Sequence, residues 1–150
     1  MTPFTVALFG HRVVDDLSTL EERLAPIVSE LLSAKSHVLF LIGRNGEFDE
    51  YAASVIKRIK RQLAEERGEL VLVLPYTVAG IEYYESYYDA ILIPEELHGV
   101  HPKSAITKAN RWMVDHARLV IGFVQARGGG ADAALKYAQR RGIRTINLGE

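Results

Sequence analysis

The chain has no cysteine among its 150 residues, which excludes disulfides, thiolate metal sites and a cysteine nucleophile. No apolar run approaches the roughly 20 residues of a membrane span, so no membrane partner is expected. The opening stretch, Met1 to Val6, lacks the cationic segment and apolar run of a signal peptide, and the expected location is cytoplasmic. Charge of either sign is not in excess: 18 Lys and Arg stand against 19 Asp and Glu, a net of −1. With no basic bias and no concentrated basic run, a nucleic-acid partner is not expected. Several motifs are missing as well. No Gly-Lys-Ser/Thr follows a glycine loop, so there is no P-loop, and no Gly-x-Gly-x-x-Gly supports an NAD dehydrogenase. A Gly-x-Ser-x-Gly elbow is also absent.

What is present is an alternation. Five near-continuous apolar runs occur at Phe4–Phe9, His37–Ile42, Leu70–Leu74, Leu119–Val124 and Thr145–Leu148. Strands buried on both faces of a parallel sheet look like this, because neither face needs polar residues. A sixth run, Ala90 to Pro94, is a candidate edge strand. Amphipathic stretches lie between them. Ser18-Thr19-Leu20-Glu21 has the form of a capping box, followed by Leu24, Ile27 and Leu31 at helical spacing. Pro26 is a misfit there, with a cost of about 3 kcal/mol unless the helix bends or restarts.

The second helix buries Ala52, Val55, Ile56, Ile59 and Leu63, leaving Lys57, Arg58, Lys60 and Arg61 as a solvated face. The third, from about 104 to 116, turns Ile106, Ala109, Trp112 and Met113 inward. The last, from about 131 to 141, stops at Gly142, which accepts positive φ. The stretch 75–102 reads as an irregular insertion or lid over the strand ends. It is rich in tyrosine at 83, 84, 87 and 88. These rings suit base stacking, core packing or a dimer contact. Alternating strands and helices predict an α/β fold, a Rossmann-like three-layer sandwich with a mostly parallel sheet of five or six strands. No repeat or linker divides residues 1–150, so a single domain is expected.

In such sheets ligands collect beyond the carboxyl ends of the strands. Glycine turns fall there three times: Gly10-His11-Arg12, then Gly43-Arg44-Asn45-Gly46 leading to Asp49, then Gly128-Gly129-Gly130 before the last helix. Glycine lets the main chain approach an anion and present N–H groups to it. The candidate ligand and phosphate residues are Gly10, His11, Arg12, Gly43, Asn45, Gly46, Asp49, Arg111, Gly128, Gly129 and Gly130. Arg111 would clamp a phosphate or carboxylate, or pair with Asp115 one helical turn on. Asp49 would accept from a ribose or cap its helix. His98-Gly99-Val100-His101 lacks a third ligand at a recognisable interval, so no metal is called for, and no cofactor is expected.

At these residues the chain resembles the SLOG superfamily, the Rossmann-like group that includes the Lonely Guy phosphoribohydrolases and the Rossmann domain of the DNA-processing protein Smf. Small stand-alone bacterial members are the most similar. The resemblance spans nearly the whole chain. It rests on Phe9-Gly10-His11-Arg12, Gly43 to Asp49 with Ala52 and Ala53, Pro75-Tyr76, Asn110 to Asp115, Gly128-Gly129-Gly130 and Lys136-Tyr137-Ala138. It implies a nucleotide-derived small molecule as ligand, with its phosphate at the last glycine turn, and is compatible with a homodimer. One departure bears on mechanism. The family's hydrolases carry a glutamate in Pro-Gly-Gly-x-Gly-Thr-x-x-Glu, and Ala134 stands at that position here. An alanine neither stabilises cationic charge nor acts as a base, although Glu47, Asp49 or Asp132 could substitute. The leading expectation is therefore binding or sensing of a phosphate-bearing nucleotide without hydrolysis. The alternatives are an N-glycosidic hydrolase or transferase, and a DNA-processing accessory domain.

Overall fold

Each apolar run forms a strand because alternate side chains find a helix layer on either face. The computed structural model describes residues 2–63 and 65–150. Its elements are β1 (Phe4–Gly10), α1 (Leu17–Ala34), β2 (Val38–Ile42), α2 (Glu47–Leu63), β3 (Gly68–Val73), α3 (Ile81–Tyr87), β4 (Ala90–Leu92), α4 (Pro102–Asp115), β5 (Leu119–Phe123), α5 (Gly129–Arg140) and β6 (Arg144–Asn147). One six-stranded, all-parallel sheet runs in the order β4-β3-β2-β1-β5-β6. The chain winds outward from β1 to β4, returns, and winds the other way through β5 and β6. Winding reverses between β1 and β5, where a crevice opens at the carboxyl ends.

The core divides by strand parity. Val6, Leu8, Phe40, Ile42, Ile121 and Phe123 face α1 and α2. Ala7, Phe9, Leu41, Val71 and Val120 face the other way, onto Met113 and Val114 of α4 and Ala134, Leu135 and Ala138 of α5. On α1, Leu20, Leu24, Val28 and Leu32 are fully buried. Each contributes about 1.5–3 kcal/mol of apolar burial.

The structure differs from the sequence reading in several places. The α1 cap is Asp16, not Ser18. The Asp16 carboxylate accepts from the Thr19 N–H at 3.0 Å and from both hydroxyls, Ser18 at 2.9 Å and Thr19 at 2.6 Å. These hydrogen bonds hold its carboxyl below the usual range. Helix α1 runs through Pro26, which sits on the exposed side together with Glu22. Water can take the Glu22 carbonyl that the ring leaves unbonded.

Lys60 is not on the solvated face. It is buried, its ammonium 2.8 Å from Asp89 and 3.5 Å from Glu65. Leu63 and Ile106 are exposed instead of inward. The stretch 75–102 is not an irregular lid, since it holds α3, the edge strand β4 and a 3-10 turn at Glu95–Leu97. Tyr87 and Tyr88 of this segment pack on the core, and burial pushes the Tyr88 phenol well above its ordinary value.

Candidate functional site

The first two glycine turns interlock. The Arg12 carbonyl accepts from the Glu47 N–H at 2.8 Å and the His11 carbonyl from the Phe48 N–H at 3.3 Å. The Glu47 carboxylate returns the contact, accepting from the Val14 N–H at 2.7 Å. This docking needs both glycines. A Cβ on Gly10 would collide with the Phe48 ring, and one on Gly46 would collide with the Arg12 backbone. Asp49 then caps from inside the first turn of α2, accepting from the Asn45 N–H at 2.7 Å. It is buried, and burial lifts its carboxyl from 3.8 to about 6, against the pull of the Asn45 hydrogen bond. The amides that open α2 are thus largely consumed within the protein.

The third turn is different. Gly128 and Gly129 adopt φ of +88° and +83°. The Gly128 N–H is taken by Asp132 at 2.8 Å. Among the described residues no acceptor faces the N–H groups of Gly129, Gly130 and Ala131, which open α5. They present partial positive charge at a helix N-terminus.

A cleft of about 330 Å³ lies in the crevice between β1 and β5. Its lining includes Gly10, His11, Arg12, Gly43, Asn45, Asp49, Gly129 and Gly130, joined by Ile106 and Asn110 of α4. A second cleft of about 340 Å³ adjoins it, lined by Arg111, Gly128, Asp132, Lys136, Tyr137 and Arg140. Asn110, Gly129 and Gly130 border both hollows. Of the eleven residues singled out from sequence, Gly46 alone lines neither; it serves the contact with Arg12. Spacing offered no signal for Asn110 or Arg140, which lie on α4 and at the far end of α5.

His11 also carries a scaffold duty. His11 Nε2 accepts from the Gln125 N–H at 2.8 Å and the Ala126 N–H at 3.3 Å, tying the turn after β1 to the exit of β5. Arg111 does not pair with Asp115. That carboxylate takes the Tyr137 hydroxyl at 2.8 Å and Arg141 at 3.4 Å, while the Arg111 guanidinium lies 5.1 Å from the Tyr137 ring centre. The Arg111 head is left without a carboxylate partner among the described residues. Asn147 continues the β5 ladder with its side chain, accepting from the Val124 N–H at 3.0 Å and donating to its carbonyl at 2.9 Å.

Of the carboxylates able to replace a missing glutamate, Glu47 is bound to Val14 and Asp132 to Gly128 and, at 2.9 Å, to Lys136. Asp49 alone of the three lines the first cleft. His101 caps α4, its Nδ1 accepting from the Lys103 N–H at 3.1 Å. Among the described residues no three His, Asp or Glu side chains are grouped to hold a metal, and no helix is long and apolar enough to cross a membrane.

No family model matches the chain, and no curated protein matches it by sequence. The fold is Rossmann-like. A solved structure of DNA processing protein A from Helicobacter pylori, described for its single-stranded DNA binding mode, superposes with a TM-score of 0.64 at 15% identity, covering 96% of this chain. This chain spans 64% of that structure's length.

The likeness overturns the expectation that nucleic acid is an improbable partner. That expectation rested on a net charge of −1 summed over the sequence. Folding gathers Arg111, Lys136 and Arg140 at the second cleft, where Asp132 is the one carboxylate and holds Lys136 at 2.9 Å, while the first cleft sets Arg12 beside Asp49. A near-neutral total therefore does not argue against a polyanion.

Proposed function

We propose that this chain binds single-stranded nucleic acid through its phosphates, along the two adjoining clefts, without hydrolysing it. The observation that carries the reading is the shared wall of Asn110, Gly129 and Gly130, where the free amides of α5 meet both hollows. Each hollow has the volume of a small-ligand site, about the size of a mononucleotide, so two linked nucleotides fit where one would leave half the surface empty. Arg111 and Arg140, which pair with no carboxylate among the described residues, supply sequence-independent attraction to a phosphate backbone. The DNA-binding protein of the same fold supports a strand over a free nucleotide. On this reading residues 1–150 act as one SLOG-type binding domain, and Ala134 marks the loss of hydrolytic chemistry.

A free nucleotide-derived ligand in the first cleft is a second reading, favoured by Asp49. A buried carboxyl that is partly protonated near neutral pH can donate to a ribose or phosphate oxygen.

Gly130→Glu tests the shared wall, and the choice of ligand separates the two readings. A Cβ at Gly130 meets only Asn110, at 3.7 Å, and φ is not positive there, so the variant should fold. A carboxylate in the first turn of α5 suits the helix dipole yet repels an anion in either cleft. Fluorescence anisotropy with a labelled single strand of about 15 nucleotides should show salt-dependent binding. The variant should weaken it at least about tenfold, a loss of about 1.4 kcal/mol. If AMP or ADP-ribose stabilises the protein thermally while the strand does not bind, the second reading replaces the first. Silence from both ligands sinks both.

A further inference from the structure

We propose that the outer face of α3, formed by Tyr83 and Tyr84, is a base-stacking platform for the strand as it leaves the first cleft. The inference rests on the strand reading above and extends it to a surface outside both clefts.

Four tyrosines lie on or beside this seven-residue helix, and they divide by role. Tyr87 and Tyr88 are half-buried against the core. Lys57 fastens the helix, donating to the Tyr87 carbonyl at 2.9 Å with its ammonium 3.8 Å from that ring's centre. Tyr83 does none of this work. It is 68% exposed and stands edge-on to Tyr84, ring centres 5.4 Å apart at 79°. Among the described residues its only aromatic contact is with Tyr84, so its ring faces remain open to a planar partner.

The platform connects to the cleft through one residue. Gly43 and Asn45 line the first cleft, and Arg44 between them reaches the other way, its guanidinium 5.6 Å from the Tyr84 ring centre. A nucleotide whose phosphate sits at the cleft mouth would meet Arg44 and then the tyrosine rings. Charge sets the orientation. Glu82 and Glu85 are exposed on α3 and repel phosphates, so the backbone must track Arg44 while the bases turn toward the rings. Aromatic faces accept any base, which suits a strand bound without sequence preference.

The test compares two strands of about 15 nucleotides, one of thymidines and one with abasic sites, on wild type and on Tyr83→Ala/Tyr84→Ala. The double variant should lose about tenfold in affinity for the thymidine strand and leave the abasic strand unchanged. Tyr83→Trp, which preserves a stacking face at a solvent-exposed site, should bind the thymidine strand as wild type does. Equal losses on both strands, or none on either, overturn the platform while leaving the cleft reading intact. A change of sedimentation coefficient without a change of affinity would make the face a contact between copies of this chain, and the proposal falls. If wild type binds neither strand, the underlying strand reading falls and takes the platform with it.

Discussion

His11 Nε2 accepts the Gln125 backbone N–H at 2.8 Å across 114 residues of sequence, tying together the two strand exits that flank the crevice where the sheet reverses its winding. The ring is therefore in the tautomer that leaves Nε2 unprotonated. His11→Ala should cost about 0.5–1.5 kcal/mol in urea unfolding, since exposed Gln125 can turn to water. Hydrogen exchange gives the local check: the Gln125 amide should exchange faster in the variant. An unchanged rate there would show that the bridge does not persist in solution.

Asp49 makes stability depend on pH in a defined direction. Its carboxyl is raised from 3.8 to about 6 by burial, so the folded state holds a proton that the unfolded chain releases within that window. The stabilisation is complete below pH 3.8 and is lost as pH rises through about 6, an effect of about 3 kcal/mol at most. Asp49→Asn keeps an acceptor for the Asn45 N–H and removes the charge. It should raise stability at pH 8 by up to that amount and change little near pH 4, read from urea midpoints. A variant less stable than wild type at pH 8 would contradict the account.

The same group should couple protons to ligand. An anion in the first cleft disfavours ionised Asp49, so affinity for a phosphate ligand should rise as pH falls from 8 toward 6. In Asp49→Asn the profile should flatten over that range. Titrations at several pH values and constant salt would decide it, and parallel profiles for the two proteins would rule the coupling out.

Lys60 and Asp89 should behave as one unit. The Asp89 oxygen that meets Lys60 at 2.8 Å also accepts from the Leu70 N–H at 2.7 Å. Lys60→Met should cost about 1–3 kcal/mol, below the range for a fully buried pair, because the Asp89 side chain is 39% exposed. Asp89→Asn leaves the buried ammonium poorly compensated, and adding Lys60→Met should recover part of that loss. Strict additivity in the double-mutant cycle would mean that the pair is not coupled.

Gly122 marks a close approach of α5 to the sheet. A Cβ there would stand 2.6 Å from both methyl carbons of Leu135. Gly122→Ala should cost about 1–3 kcal/mol by overpacking. Combining it with Leu135→Ala should cost less than the two single losses added together, as thermal unfolding would reveal.

The sequence alone determined the order of elements and the layered α/β architecture. Runs such as Val38–Ile42 and Leu119–Phe123 are apolar on both faces, and only a sheet covered on both sides accommodates that. It also placed Gly10, Gly43 and Gly129 at strand exits, because local chemistry marks a turn. What it could not contain is which groups those turns meet. The amides of Glu47 and Phe48 are consumed by the carbonyls of Arg12 and His11, whereas those of Gly129 and Gly130 stay free. Glycine content does not distinguish the two turns. Lys60 reads as a surface lysine until Asp89 arrives from another strand connection, and the cationic lining of the second cleft vanishes into a total of −1. Hydrogen-bond partners and local fields depend on distances in space, which the fold sets by bringing β1 against β5, β4 against β3 and α2 onto the turn after β1.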